Sequence, residues 1–165
     1  VFAHGYTPDA TIVARARVDR APYDVWAEQG HLTATPGPVV RFPFVIADLQ
    51  RDQDDYELQA VAYDRYLITR FADDMTEMGA DLPLVEHPQG FNRRKDTTLW
   101  LPGSIDQLEE LILQRRIRTT VNPAVRSAVA GATFVNSPAG LRRFDKASAT
   151  QRIDLLVAIA MAVGA

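Results

Sequence analysis

The sequence predicts an α/β domain in which helices flank a mixed, partly parallel sheet. Three features carry that expectation. Short runs rich in β-branched and aromatic residues alternate with longer stretches of helical periodicity, the order that gives parallel strands joined through helices. Start and stop residues punctuate the helical stretches. The length, 165 residues, suits one domain around a single sizeable core, and no repeat, low-complexity tract or linker interrupts it.

Residues 1–6, VFAHGY, read as a short strand. Thr7-Pro8-Asp9 then offers a cap, a proline for the first helical position and an acid for the first turn of a helix running to about Arg17. APYDVWAEQG predicts a second helix, started by Pro22 and stopped by Gly30, and HLTATPG a strand ended by Pro36-Gly37. Residues 40–53 are expected to be helical, with Val45, Ile46 and Leu49 on one face. A strand at 58–63, a helix at 65–78 closed by Gly79, and a strand in LPLVEH follow. GSIDQLEELILQRRI has the pattern of a helix with Ser104 and Gln107 as a capping box and Leu108, Leu111 and Ile112 as its apolar stripe. NPAVRSAVAGA is a further helix, and ATFVNSPAGLRRFDK a hairpin turning at residues 137–140. The last helix is expected to begin at Ser148, with Gln151 completing a second capping box.

Apolar residues make up 47% of the chain and charged residues 24%, as in an ordinary globular protein. A net charge of −3 gives no global basic field, although a local basic rim is compatible with it. With no cysteine, disulfides and thiolate metal sites are excluded. The apolar stretch at 153–165 is too short to span a bilayer, and no signal peptide is visible. No G-x-x-x-x-G-K-[ST] occurs, so there is no phosphate-binding loop for ATP.

Two aspartates interrupt apolar segments. Asp64 follows the strand at 58–63; it suits a cap on the next helix, and equally a ligand at the carboxyl end of a strand, where open α/β sheets gather their ligands. Asp154 is expected about two turns into the last helix, on one face with Ala158 and Ala162. Small residues there suit close approach to a sheet, and a carboxylate in such a contact needs a partner, whether Arg152, solvent or a bound cation. Mg2+ and Mn2+ prefer carboxylate oxygens, so an acid at a strand end and an acid on a late helix could converge on such an ion. Asp48 is a further candidate carboxylate, with a solvated helix face as the competing reading.

Several cations invite a reading as DNA contacts. Arg65 adjoins Asp64 and could face phosphate or a nearby acid. Arg93, Arg94 and Lys95 lie in a polar loop with Gln89, Phe91 and Asn92, where Gly90 permits close backbone approach. Lys146 precedes the last helix. Each of the five reads either as a phosphate contact or as an ordinary surface cation. Arg115, Arg116 and Arg118, with Arg142 and Arg143 on the hairpin, form a second basic surface, although arginines at a helix end also complement its dipole. His4, His31 and His87 show no ligand spacing, and Tyr23 and Trp26 read as core residues.

RAPYDVWAEQGHLTATPG, AVAYDRY, PQGF, the leucine-rich helix, NPAV and DKASATQRIDLLVAIAMAVG follow one another in order across almost the whole chain. This ordered set resembles the C-terminal nuclease domain of the large terminase subunit of tailed bacteriophages. The resemblance implies a ribonuclease-H-like fold and a metal-dependent endonuclease, using Mg2+ or Mn2+ in a two-ion site, that cuts concatemeric viral DNA. It implies that Asp64 and Asp154 are the catalytic metal ligands. A third aspartate is expected on the first strand of the nuclease sheet, before Val1. The sheet should then lack its first strands within these residues, residues 1–7 would be its third strand, and the chain alone would cut weakly. An ATPase domain is expected further upstream.

The implied partners are double-stranded viral DNA, the portal and the small terminase subunit. The implied setting is the cytoplasm of a bacterial host carrying the phage or prophage, with no membrane association. Two positions depart from the family pattern: RTTVNP lacks a histidine before NP, and Leu155 replaces a glycine. The alternatives are another ribonuclease-H-like nuclease of resolvase or transposase type, and a non-catalytic module that docks on DNA or the portal.

Overall fold

A computed structural model describes residues 1–165. Six three-residue strands form three pairs. β1 (Tyr6–Pro8) runs parallel to β2 (Thr33–Thr35), and β3 (Val61–Tyr63) parallel to β4 (Leu84–Glu86). β5 (Phe134–Asn136) and β6 (Arg142–Phe144) make the antiparallel hairpin. Seven α-helices surround them: α1 (Ile12–Asp19), α2 (Tyr23–Glu28), α3 (Phe42–Asp55), α4 (Ile68–Met78), α5 (Leu101–Leu113), α6 (Pro123–Ala130) and α7 (Asp154–Gly164). The mixed α/β class is as expected; within these residues the strands form separate pairs rather than one continuous sheet.

The main core lies between α5 and α7. Leu101, Ile105 and Leu108 pack on Val157, Ala160 and Met161, and Val125, Phe144 and Ile153 close the cluster. Ala160 is completely buried, and a Cβ added at Gly164 would collide with Ser104, so small residues set the helix separation. A second cluster joins α3 and α4 through Ile46, Met75 and Leu82. Successive residues of a strand face opposite sides. In β3, Val61 packs on the α3–α4 cluster and Ala62 on the α5–α7 core, so the β3–β4 ribbon is a middle layer between two helical layers.

Several expected boundaries move, each for a local reason. The first strand is Tyr6–Pro8 rather than 1–6, although Gly5 extends the ladder by accepting the Thr33 N–H at 2.7 Å. Thr7 and Pro8 belong to that strand and do not cap a helix. The Asp9 carboxylate accepts the Gly37 N–H at 2.8 Å, and a single 3-10 turn leads into α1. α4 starts at Ile68, after Leu67 in the left-handed region (φ 62°), and ends as expected at Gly79 (φ 64°), where the missing Cβ permits that conformation.

Neither serine capping box forms. α5 starts earlier, at Leu101, with Pro102 in its first turn. Ser104 therefore lies within the helix, its hydroxyl 2.8 Å from His87 Nε2. Before α7 the Asp145 carboxylate accepts the Ala147 N–H, which folds residues 146–148 into a turn, and the helix begins only at Asp154. Asn122, by contrast, is a working cap. Its side-chain oxygen accepts the Ala124 and Val125 N–H groups, while its amide reaches the carbonyls of Ala3 and His31.

Asn122→Ala should cost about 1–2 kcal/mol in urea denaturation, because it removes a helix cap that also ties α6 to the N-terminal segment. An unchanged midpoint would contradict this. His87 is completely buried, and burial holds its pKa below the ordinary 6.5. Below pH 6.5 the unfolded chain therefore takes up the histidine proton before the folded one, and stability falls as pH drops toward the folded-state value. Urea midpoints measured between pH 7.5 and 5 should show this loss, and His87→Asn should reduce it.

Candidate active site

β3 pairs with β4 along one edge only. Its other side, with residues 58–60, opens on a trough lined by Val157, Ala158, Met161 and Ala162 of α7 and by Leu49 of α3. Asp64, the residue after β3, and Asp154, the first residue of α7, both line this trough. Gln89 and Lys146 line it with them. The two carboxylates are thus brought to one place from positions far apart in the chain.

Both aspartates are exposed. Asp64 Oδ1 lies 3.4 Å from the Tyr66 N–H, a marginal contact, and is not the cap of α4, which has no side-chain cap. Asp154 sits at the α7 N-terminus instead of two turns in, where the helix dipole favours an anion. Its carboxylate accepts the Lys146 ammonium at 2.8 Å. Arg152 pairs with Asp19 at 2.9 Å. Asp19 also accepts the Tyr23 hydroxyl, and burial, followed by the Asp19 charge, pushes the phenol pKa up to about 12. Ala158 and Ala162 continue the Asp154 row but are exposed along the trough instead of packing on a sheet. On its other flank Asp154 faces His4, Gly5, Tyr6 and Thr7 around β1. The carboxylate therefore stands between the two parallel strand pairs.

The surrounding cations divide into held and unheld groups. Arg65 donates through Nε and Nη2 to Glu86, at 2.9 and 2.7 Å. Arg94 bridges Glu86 and Asp96, and these acids, Asp96 foremost, raise its pKa. Glu86 carries no motif signal in the sequence. The parallel register sets it opposite Tyr63, one residue from Asp64, and only knowledge of that register could have found it. Arg93 and Lys95 line an open polar hollow with Arg94 and Asp96. Arg142 is fully engaged by Asp106 and Glu109 of α5, which removes it from the expected second basic surface. Asp48 accepts the Tyr6 hydroxyl at 2.6 Å and pairs with Arg51, a structural role outside the trough.

No three His, Asp or Glu side chains are grouped so as to hold a metal. The trough supplies two carboxylates. Mg2+ commonly keeps several waters and takes only one or two protein carboxylates, so hard oxygen donors of this number and type fit such an ion.

A family model described as terminase large subunit, endonuclease domain, matches residues 2–165. The terminase large subunit of Enterobacteria phage HK97 is 42% identical over 165 residues, which is 100% of this chain and 31% of that protein. The crystal structure of the HK97 bacteriophage large terminase matches with a TM-score of 0.85 at 42% identity, covering 96% of this chain and 32% of the other. The chain spans about a third of the length of these relatives. By sequence over nearly its whole length, and by fold, it belongs to the family of terminase large subunit endonuclease domains.

Proposed function

We propose that the chain is the metal-dependent DNA endonuclease domain of a phage packaging terminase, cutting concatemeric double-stranded viral DNA in the cytoplasm of the bacterial host. The observation that carries this reading is that Asp64 and Asp154 both line one trough, between β3 and α7. On this reading the two aspartates are the catalytic carboxylates and hold Mg2+ or Mn2+. When bound, a pair of such ions stabilises the attacking and leaving oxygens of an in-line phosphodiester displacement.

The chain's own groups orient the substrate. Asp64 and Asp154 are presented from a strand end and a helix N-terminus, rigid elements that fix their positions. Lys146, now on Asp154, would yield its place to a divalent ion and turn its ammonium toward phosphate. Arg93 and Lys95 supply backbone contacts, and Arg65 and Arg94, aligned by Glu86, add charge at the rim. The ribonuclease-H-like reading is supported by the β3–β4 ribbon between helical layers and by its one-sided pairing, which leaves room for a strand bearing a third carboxylate. The portal and the small terminase subunit are the proposed protein partners.

Manganese titrated calorimetrically into the chain should give saturable binding that Asp64→Asn and Asp154→Asn each abolish without lowering thermal stability. A non-catalytic docking module would show no metal binding at either residue. In the full-length terminase, Asp154→Asn should reduce cleavage of supercoiled plasmid by at least about a hundredfold. It keeps the shape but removes the carboxylate charge that would hold the ion, and each 1.36 kcal/mol of lost transition-state stabilisation is roughly tenfold in rate. Cutting at the unsubstituted rate would contradict the role. The chain alone, with two carboxylates, should cut weakly even with manganese.

A further inference from the structure

We infer that Arg143 is a phosphate-binding residue that grips the DNA backbone beside the Asp64–Asp154 trough, and that Phe91 is the platform that positions it. The inference rests on the nuclease reading for its ligand, a phosphodiester oxyanion of DNA, but on separate observations for its site. Neighbouring residues of a strand point to opposite sides. On β6, Arg142 turns to α5 and is neutralised by Asp106 and Glu109, while Arg143 turns the other way. There it lines a hollow with Asp64, Gln89 and Lys146, three residues that also line the trough.

Arg143, like Arg93 and Lys95, has no carboxylate partner, but it alone of these lies over an aromatic ring. Arg65, Arg94, Arg142, Arg152 and Lys146 each have a carboxylate partner. The structure gives Arg143 no ion pair; its guanidinium lies over the Phe91 ring, 5.1 Å from the centroid. The nearby Asp145 carboxylate accepts the Ala147 N–H, and Ser148 foremost, with the Arg143 charge as a lesser cause, holds its pKa below the ordinary carboxylate range, without an ion pair to Arg143. Phe91 is itself fixed, because the Trp100 indole N–H is shared between the carbonyls of Gly90 and Phe91, at 3.0 and 3.1 Å.

A chain of contacts therefore runs from the start of α5 through Trp100 and the 89–91 loop to Arg143. Stacking on an aromatic face orients a guanidinium without using up its N–H donors, unlike pairing with an acid. A planar fork held this way suits bidentate contact with a phosphate. Arg143 is thus the arginine that lines the Asp64 hollow, and its donors make no ion pair.

The test is fluorescence anisotropy with a labelled DNA duplex, in calcium-free, EDTA-containing buffer, across a salt series. Arg143→Ala should weaken binding about tenfold and lower the magnitude of the log–log salt slope by about one, as for loss of one phosphate contact. Arg143→Lys should restore the slope but only part of the affinity. Phe91→Leu should weaken binding about two- to fivefold with the slope unchanged, and Phe91→Trp should restore it, because the indole face also carries the cation. Arg126→Ala, at an exposed position of α6 that lines neither the hollow nor the trough, should do neither.

Binding and slope unchanged in Arg143→Ala would overturn the inference and leave the nuclease reading intact. A loss of affinity accompanied by a lower melting temperature, with the slope unchanged, would also overturn it. Absence of any DNA binding by the unsubstituted chain would overturn both. Failure of the nuclease reading alone would show as lost metal binding with the Arg143 effect on DNA still present.

Discussion

The contact between α5 and α7 is the constraint on which the site depends. α7 turns Val157, Ala160 and Met161 toward Leu101, Ile105 and Leu108, and the small residues Ala160 and Gly164 allow close packing. Once that face is buried, the helical period leaves Asp154, Ala158 and Ala162 on the outward row. Ala62 of β3 packs on the same core, so the end of β3, and Asp64 with it, is placed beside the α7 N-terminus. The two carboxylates are therefore located by apolar packing rather than by any bond between them. Buried aliphatic area of this kind is worth about 25 cal/mol per Å2 and exceeds what exposed ion pairs contribute.

Electrostatics then arranges what packing has placed. The cations around the trough are mostly paired: Lys146 with Asp154, Arg65 and Arg94 with Glu86, Arg142 with two acids of α5. Exposed pairs of this kind contribute little to stability, and their main effect is to hold long side chains in defined positions. Glu86 acts as a hub at the end of β4, aligning two guanidinium groups one residue across the ladder from Asp64. A net charge of −3 leaves room for a local basic rim around the trough.

Much of this was legible in the sequence where the signal is local. The hairpin, the Asn122-Pro123 helix start and the Gly79 stop rest on short-range turn and cap chemistry, and each forms. Asp64 at a strand end was legible from the pattern alone. The failures arise where tertiary contacts compete with local ones. Ser104 turned to His87 instead of capping, and Asp145 took over the turn expected to start the last helix, which moved Asp154 to its first residue. Arg142 and Arg143 are indistinguishable as neighbours in sequence, yet the strand's alternation sends one to an acid pair and the other to Phe91. Glu86 needed the β3–β4 register, which no single stretch encodes.

On the proposed reading, Asp64 and Asp154 together hold a divalent cation. Crystals of the chain grown with manganese, with data collected above and below its absorption edge, test it most directly. The expected result is an anomalous peak in the trough within coordination distance of a carboxylate oxygen from each of Asp64 and Asp154, with the Lys146 ammonium displaced from Asp154. No peak in the trough at saturating manganese, with Lys146 still on Asp154, would contradict the account.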